Sequence, residues 1–374
     1  MPPRLTEAER ARLHALFAQL CAIASPFGSE EAVSAAVRAE LEALGLTVGI
    51  DGFGNLFARI PGTGPRSILL CAHLDTVPAS DPTHPIEPVE VDEGWENARE
   101  DILGADNKAA VAVMLVAAAC AVREPQPVGL ELLFTLQEEN GLNGAKAFDA
   151  AKLVSDFGYV YDHATPIGEI VMAAPSFYRL TARFHGRAAH AGIRPEDGRS
   201  AIVAAARAIV ALRLGRLDAE TTANVGTVEG GVGGTNVVPE HAGFLAEARS
   251  LDETRLEALV AEMIDAIHTA ANDASNDVDA DVTVEKVFQT YRHKPASPAV
   301  LAAEKALRAI GYEPSHIVSG GGSDANALEV NGFHCVCLAN GTERNHEPTE
   351  RVSFVALEDM LAVTLALLQT AADV

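Results

Sequence analysis

Short apolar segments alternate with segments of helical periodicity over the first half of the chain, and this alternation strongly restricts the possible folds. The apolar segments occupy residues 67–72, 130–137, 157–161 and 168–173. This order predicts an α/β sheet covered by helices. A chain of 374 residues is long enough for such a sheet and for a further domain.

The pattern changes between about residues 176 and 288, where the predicted order is strand, helix, strand, strand, helix, strand. The predicted segments are 177–184, 199–214, 222–228, 242–249, 253–271 and 279–287. This is the order of a split βαβ, ferredoxin-like domain. The α/β style resumes after residue 298, with a predicted helix at 299–310, a strand at 335–339 and a helix from 354. We therefore expect one domain from residues 1–175 and 291–374, and a second, inserted domain at 176–290.

The charge of the chain argues against binding to polyanions. Acidic residues outnumber basic ones by 52 to 28, which gives a formal charge of −24. The resulting field repels nucleic acid and anionic membrane surfaces. We expect neither as a partner.

No membrane or export segment is expected from the sequence. The longest apolar run, 109–122, is shorter than the ~20 residues that cross a bilayer and predicts a buried helix. Apolar residues near the N-terminus have the spacing of an amphipathic helix and not the unbroken run of a signal peptide. The five cysteines are odd in number and lack paired spacing, so we interpret them as buried thiols in a reducing compartment. These features predict a cytoplasmic protein.

Imidazole and carboxylate side chains follow the ends of the predicted strands, where open α/β sheets bind ligands. The candidates are His73, Asp75, Asp106, Glu138, Glu139, Asp162 and His346. Nitrogen and oxygen ligands of these types suit zinc. Each residue alone has an ordinary structural interpretation, such as a solvated turn carboxylate. One metal centre explains the set better than independent structural roles.

The spacing of these residues predicts a division of roles. Side chains two apart on a strand face the same way, so Asp75 can orient the imidazole of His73. The adjacent carboxylates Glu138 and Glu139 repel each other, unless one binds a cation and the other has a raised pKa suited to taking a proton from water. Asp106 could bridge two cations ~3.5–4 Å apart.

The motifs of this chain resemble those of a known enzyme family, and the resemblance covers essentially the whole chain. The segments 73–77 (HLDTV), 104–108 (GADNK) and 138–141 (EENG), with a later Asp and a C-terminal His, resemble the dinuclear zinc exopeptidases that include peptidase T, carboxypeptidase G and aminoacylases. Segments 185–192, 234–239, 247–250 and 319–324 resemble the peptidase T-like branch. The resemblance implies a zinc-exopeptidase-type catalytic domain with a mixed central sheet flanked by helices, and an inserted α+β ferredoxin-like lid and dimerisation domain.

The resemblance also implies a role for each candidate residue and two zinc ions per subunit. His73 and Asp162 would bind one zinc, Glu139 and His346 the other, and Asp106 would bridge them; Asp75 would orient His73, and Glu138 would be the general base and acid. Cobalt or manganese could replace zinc at such ligands. In the lid, His190 would reach the active site of a second subunit, and Asn236 and Arg249 would contact substrate.

Taken together, these inferences predict a cytoplasmic homodimer that removes the N-terminal residue of short peptides, especially tripeptides, with a water activated by two zinc ions. One position departs from the family: peptidase T-type enzymes commonly carry an arginine where this chain has Gly320. A guanidinium reads a substrate carboxylate in bidentate fashion, so its loss puts strict tripeptide selection in question.

Four other functions remain open at this point. A carboxypeptidase or an N-acyl amino acid deacylase would use the same metal centre, because other parts of the protein choose which end of the substrate fits. A non-catalytic binding protein would have no use for the general base Glu138. A two-metal phosphoesterase would need a basic phosphate cradle, which does not accompany these ligands.

Overall fold

The structure is a computed structural model that describes residues 5–231 and 233–374. Residues 1–4, where the first domain is expected to begin, and Val232, in the glycine-rich run 230–234, lie outside the described residues. The helices are α1 (Glu7–Cys21), α2 (Glu31–Ala43), α3 (Ala105–Arg123), α4 (Asn143–Ala147), α5 (Ala201–Ala211), α6 (Glu253–Ala271), α7 (Pro298–Ile310), α8 (Asp324–Val330) and α9 (Phe354–Thr370).

The strands range from two to ten residues in length. They are β1 (Gly49–Ile50), β2 (Leu56–Ile60), β3 (Ser67–His73), β4 (Pro88–Val91), β5 (Gly94–Asn97), β6 (Gly129–Thr135), β7 (Phe157–His163), β8 (Glu169–Ala174), β9 (Ser176–His185), β10 (Ala189–His190), β11 (Gly215–Arg216), β12 (Thr221–Gly230), β13 (Val237–Val238), β14 (His241–Ser250), β15 (Asp279–Phe288), β16 (Tyr291–Arg292), β17 (Ser315–Val318), β18 (Cys335–Ala339), β19 (Thr342–Glu343) and β20 (Arg351–Ser353).

The chain divides into two compact units. Unit 1 comprises the chain up to Ala173 together with the segments Arg292–Ser319 and Ser323–Val374. Unit 2 comprises Ala174–Tyr291 and the short segment Gly320–Gly322. Each unit has its own cluster of buried apolar side chains, and the two clusters share no residue.

A mixed sheet with helices around it forms the centre of unit 1. Its strand order is β1-β2-β6-β3-β7-β18-β8-β16, and β17 also pairs with β8. Strands β6, β3, β7 and β18 are parallel, whereas β2 runs antiparallel to β6. This confirms the predicted α/β class. The parallel strands are apolar along nearly their whole length because both faces of the sheet are covered.

Helix α3 is the long apolar helix that the sequence predicts to be buried. It packs against α1, α9 and strand β3. Two helical segments, Ala105–Arg123 and Phe354–Asp373, are long and apolar enough to cross a membrane by composition, and 89% and 56% of these windows are buried inside the protein. Helices in the core of a protein are buried in this way. The five cysteines are free and buried, which confirms their interpretation as core thiols.

Unit 2 has the ferredoxin-like order that the sequence predicts. Its five-stranded sheet has the order β11-β12-β14-β9-β15, with every neighbouring pair antiparallel. Helices α5 and α6 pack on each other and on β14 and β9. The interior strand β9 largely alternates buried and more exposed residues, as expected when helices cover one face of a sheet.

The two ends of the inserted segment meet in the structure. The backbone N–H of His293 donates to the carbonyl of Met172 at 2.7 Å. The hydroxyl of Thr290 donates to the carbonyl of Ala174, also at 2.7 Å. The chain therefore leaves the sheet of unit 1 and returns to it at neighbouring, hydrogen-bonded positions.

Helix α9 offers a direct test of the core of unit 1. Leu361 is fully buried in the apolar cluster, whereas Val355 on the same helix is 61% exposed. We expect Leu361→Ala to lower the free energy of unfolding by about 2–5 kcal/mol, because it removes buried methyl groups and leaves a cavity. Val355→Ala should change it by less than about 0.5 kcal/mol. Urea titrations of both variants would measure the difference, and equal losses would contradict this packing.

Candidate metal centre

Parallel strands bring most of the candidate ligands to one edge of the unit 1 sheet. His73 is the last residue of β3, and Asp162 lies near the end of β7. Glu138 and Glu139 follow β6, which runs parallel to β3 with Thr135 opposite His73. Because β6, β3 and β7 are parallel neighbours, their carboxyl ends meet at this edge.

Asp106 lies between two histidines that come from distant parts of the chain. Its Oδ1 is 3.3 Å from Nε2 of His73, and its Oδ2 is 3.3 Å from Nε2 of His346. Nε2 of His73 is also 3.7 Å from Asp162, and Nε2 of His346 is 2.8 Å from Glu139. The five side chains thus form two groups that share the carboxylate of Asp106.

The polar atoms of this cluster fit a pair of cations. Nε2 of His73 and Oδ1 of Asp106 are both buried, and neither makes a hydrogen bond within the described residues. Buried polar atoms without partners are rare, and an ion is one explanation for them. Donor atoms of His73, Asp106 and Glu139 lie within 4.8 Å of one another, as do those of His73, Glu138 and Asp162. Two nitrogen and oxygen donor sets at this spacing suit two divalent metal ions.

Burial and crowding change the proton affinities of the cluster. Burial raises the pKa of Glu138 well above its usual value, and the nearby charge of Asp162 raises it further. Burial, with the charge of Asp106, raises the pKa of Asp162 to about 8. Burial alone would lower the pKa of His73, but the carboxylates of Asp106 and Asp162 raise it well above its usual value. These carboxylates therefore attract positive charge, which protons or metal ions can supply.

Asp75 makes contacts that differ from the expected ones. Its carboxylate is 3.5 Å from Nδ1 of His73, which lies closer, at 3.0 Å, to the backbone carbonyl of Asp75. The two carboxylate oxygens of Asp75 instead accept the backbone N–H groups of Glu138 and Glu139 at 3.0 and 2.9 Å. Asp75 therefore contacts His73 through both its main chain and its carboxylate, and the carboxylate also holds the two-glutamate turn.

Four successive backbone N–H groups at this turn donate to side chains of unit 1. The side chain of Asn55 accepts the N–H of Leu136, and that of Glu30 accepts the N–H of Gln137. The Asp75 carboxylate accepts the N–H groups of the two glutamates that follow. Gln137 has a φ of 54°, a left-handed conformation that is uncommon for a residue other than glycine. These hydrogen bonds fix the position of Glu138 after the sheet has ended.

The loop that carries Asp106 is held by Glu350, which sequence reasoning missed. The buried Glu350 carboxylate accepts the backbone N–H groups of Leu103, Gly104 and Asp106 at 2.7–2.8 Å. Gly104 has a φ of 75°, and a Cβ there would approach the side chain of Thr76 to 3.1 Å. The available signal was weak, because Glu350 is one of several glutamates in the polar loop around His346.

Asp324 belongs to the segment 319–324, from which the sequence alone indicates no separate role for this residue. It is buried beside the ligand-bearing strands, where its Oδ2 accepts hydrogen bonds from Thr135 and from the thiol of Cys71. Burial raises the pKa of Asp324 to about 6. The carboxylate thus ties the first residue of α8 to β6 and β3, next to the metal centre.

The predicted lid residues His190 and Asn236 come together in unit 2. His190 on β10 pairs with Val237 on β13, and the N–H of Ala191 donates to the backbone carbonyl of Asn236 at 2.9 Å. His190 and Asn236 are both exposed. The sequence placed these residues in separate motifs, and the structure brings those motifs into one small antiparallel pair.

Arg249 in unit 2 is held in a fixed position. Its guanidinium contacts both carboxylate oxygens of Glu247, at 3.1 and 3.2 Å. The guanidinium also lies 4.4 Å from the ring centroid of Phe177. A guanidinium that is stacked and paired in this way loses little conformational freedom when it binds a further group.

Comparisons with known proteins identify the relatives of both parts of the chain. Residues 176–274 match the family described as peptidase dimerisation domain, and residues 55–162 match peptidase family M28. The structure is similar to that of aminopeptidase PepT from Bacillus cereus, with 35% sequence identity, a TM-score of 0.83 and coverage of 97% of this chain and 99% of that one. A tripeptidase from Staphylococcus aureus is 32% identical, with a TM-score of 0.87 and coverage of 97% and 98%.

A more distant structure shares the fold. It is YxeP of Bacillus subtilis, described as a dinuclear metal binding peptidase of the M20 family. It is 18% identical to this chain, with a TM-score of 0.70 and coverage of 97% and 98%. At this level of identity the similarity concerns the fold.

Replacing Glu350 should weaken metal binding without removing a metal ligand. In Glu350→Gln an amide NH2 group replaces one oxygen that accepts backbone N–H groups, so the loop that carries Asp106 should loosen. Changes of this kind behind a ligand typically cost about 10–100-fold in metal affinity. Zinc dissociation constants from competition with a chelator would measure the effect. The control is Glu347→Gln, an exposed position three residues earlier; equal affinities for both variants would contradict the proposed role of Glu350.

Proposed function

This chain belongs to the peptidase T-like family of M20 metallopeptidases, and we propose that it is an aminopeptidase that uses two zinc ions to remove the first residue of short peptides. Metal-dependent peptide hydrolysis is the activity of this family. The observation that carries the proposal is the position of Asp106, whose two oxygens face His73 and His346. A carboxylate in this position is suited to bridging two metal ions.

We assign each ligand on the basis of its contacts. His73 and Asp162 would hold one metal ion, Glu139 and His346 would hold the other, and Asp106 would contribute to both. Zinc is our proposal for the metal because imidazole and carboxylate are its common ligands. Cobalt and manganese are chemically acceptable at the same donors.

We propose Glu138 as the general base and acid. The bound metal ions would supply Lewis-acid chemistry, which makes water more acidic and polarises the scissile carbonyl. The Glu138 carboxyl accepts no hydrogen bond from the described residues, while its backbone is fixed by Asp75. Its pKa is raised well above the usual value by burial. Glu138 is therefore suited to accept a proton from the attacking water and to donate it to the leaving amine.

Preference for tripeptides is supported by the relatives, one of which is described as a tripeptidase. The glycine at position 320 argues for a broader range of substrates, because it lacks the guanidinium that would read a substrate carboxylate. A carboxypeptidase or N-acyl amino acid deacylase with the same metal centre is the second candidate, and this glycine is the observation that keeps it open.

We propose further that residues 176–290 form a lid and dimerisation domain and that residues 1–175 and 291–374 form the catalytic domain. The match of residues 176–274 to a peptidase dimerisation family supports a homodimer. Within such a dimer His190 would reach the site of the second subunit and stabilise the oxyanion, while Asn236 would contact substrate. A cytoplasmic location agrees with the free cysteines.

The end of the peptide that is released decides between the two candidates. We expect zinc-loaded protein to release the N-terminal residue from an unblocked tripeptide of three different residues, as identified by mass spectrometry. Release of the C-terminal residue, or cleavage of N-acetylated amino acids in place of the tripeptide, would reject the aminopeptidase and favour the second candidate.

Glu138→Gln tests the general base. We expect a loss of about 10²–10⁴-fold in kcat, because the amide cannot transfer the proton. The zinc content per chain, measured by plasma mass spectrometry, should stay that of the unaltered protein, because the metal ions keep their ligands. A parallel loss of zinc would make Glu138 a ligand, and unchanged turnover would reject the mechanism.

Arg249→Ala tests the substrate contact in unit 2. We expect KM for a tripeptide to rise about tenfold or more with a smaller change in kcat, as for the loss of a charged hydrogen bond to bound substrate. Arg179→Ala is the matched control, because Arg179 also pairs with a glutamate and also lies near Phe177. Equal kinetics for both variants, with a lower melting temperature for Arg249→Ala alone, would assign Arg249 a structural role.

A further inference from the structure

A second group of metal-ligand side chains lies in unit 1, and its residues are not part of the centre described above. It consists of His293, Glu329 and His334, and one donor atom from each lies within 4.8 Å of the others. Nδ1 of His334 is 2.8 Å from Oε1 of Glu329, and Nδ1 of His293 is 3.8 Å from the same oxygen. The two imidazole rings are nearly perpendicular, with centroids 4.8 Å apart.

Three separate backbone elements fix these side chains. His293 follows β16 and is anchored by its N–H to the carbonyl of Met172. Glu329 lies near the end of α8, and its Oε1 also accepts the N–H of Cys335 at 2.9 Å. His334 precedes β18, and its carbonyl accepts the N–H of Gly158 on β7. The donor atoms thus converge from a rigid framework, as a metal site requires.

The geometry is close to that of a zinc site. Zinc with three protein ligands and a water is tetrahedral with bonds of ~2.0–2.1 Å, which places neighbouring ligand atoms about 3.3 Å apart. The two measured separations from Glu329, 2.8 and 3.8 Å, lie on either side of this value. Side-chain shifts of less than about 1 Å would therefore bring both Glu329–histidine separations to the value expected between two ligands of a tetrahedral zinc ion.

Only one of the two histidine contacts to Glu329 has the length of a hydrogen bond. The 2.8 Å contact already pairs Glu329 with His334, while the 3.8 Å contact of His293 is longer than a hydrogen bond.

We infer that His293, Glu329 and His334 bind a structural zinc ion, with water as the fourth ligand. The ion would join three segments: the point where the chain re-enters unit 1 after Tyr291, the end of α8 and the start of β18. Helix α8 begins at Asp324, which contacts Thr135 beside the catalytic ligands. The ion would therefore fix α8 at its far end, and its presence does not depend on which peptides the enzyme cleaves.

Metal analysis of the full-length protein tests this inference. Protein stripped with a chelator is reloaded with zinc, dialysed and analysed by plasma mass spectrometry. We expect about three zinc ions per chain, two in the catalytic centre and one at the new site. His334→Ala should bind about two, with tripeptide hydrolysis retained, because it loses one ligand of the structural ion. Zinc should also raise the melting temperature of the stripped protein more than that of this variant.

A control and a second variant distinguish the loss of one zinc ion from a general loss of folding. His316→Ala is the matched control, because His316 also contacts a glutamate, Glu304, at 2.9 Å but belongs to no group of three donors among the described residues; it should still bind about three zinc ions. Glu329→Gln should behave like His334→Ala. Retention of about two zinc ions by each variant shows that the catalytic centre is intact. About two zinc ions in the unaltered protein, or no loss in either variant, would overturn the inference.

Discussion

Backbone N–H groups that donate to buried carboxylates are the interaction on which the metal centre depends. Asp75 holds the turn of Glu138 and Glu139, and Glu350 holds the loop of Asp106. Burying a carboxylate is costly unless hydrogen bonds compensate it, and bonds to a charged acceptor contribute about 1.5–3 kcal/mol each. These loops therefore have defined positions although they lie beyond the ends of the strands.

The ligands themselves differ in how they are supported. His73 ends a strand in the middle of the sheet and is almost fully buried. His346 lies in a loop with a φ of 65°, and its side chain is 51% exposed. Asp106 faces both histidines, so one side of the centre is anchored in the sheet and the other in a loop. A residue held in an unusual backbone conformation at a functional site is a common arrangement.

The sequence predicted the central strands because apolar runs leave a local signal, and its residue types pointed to the candidate ligands that the structure brings close together. Strand β18 has the bounds expected from its apolar residues, and the ligands are the residue types that bind zinc. Glu350 was missed because its partners lie more than 240 residues away and are backbone groups, which no side-chain pattern reveals. The hydrogen bonds from Glu138 and Glu139 to the Asp75 carboxylate were not predicted, because residue spacing reports which face a side chain occupies and not its distance to another loop. The four-stranded sheet β19-β20-β5-β4 was missed because its strands are two to four residues long.

The hydrogen bond between His293 and Met172 has a consequence for how this architecture could arise. Because the inserted segment starts and ends at paired positions, it occupies the place of a hairpin loop. Closing a longer loop costs little additional entropy, and an insertion at such a site leaves the host topology unchanged. The separate apolar clusters of the two units fit this picture. The inserted domain can therefore change in length without altering the order of the strands in the host sheet.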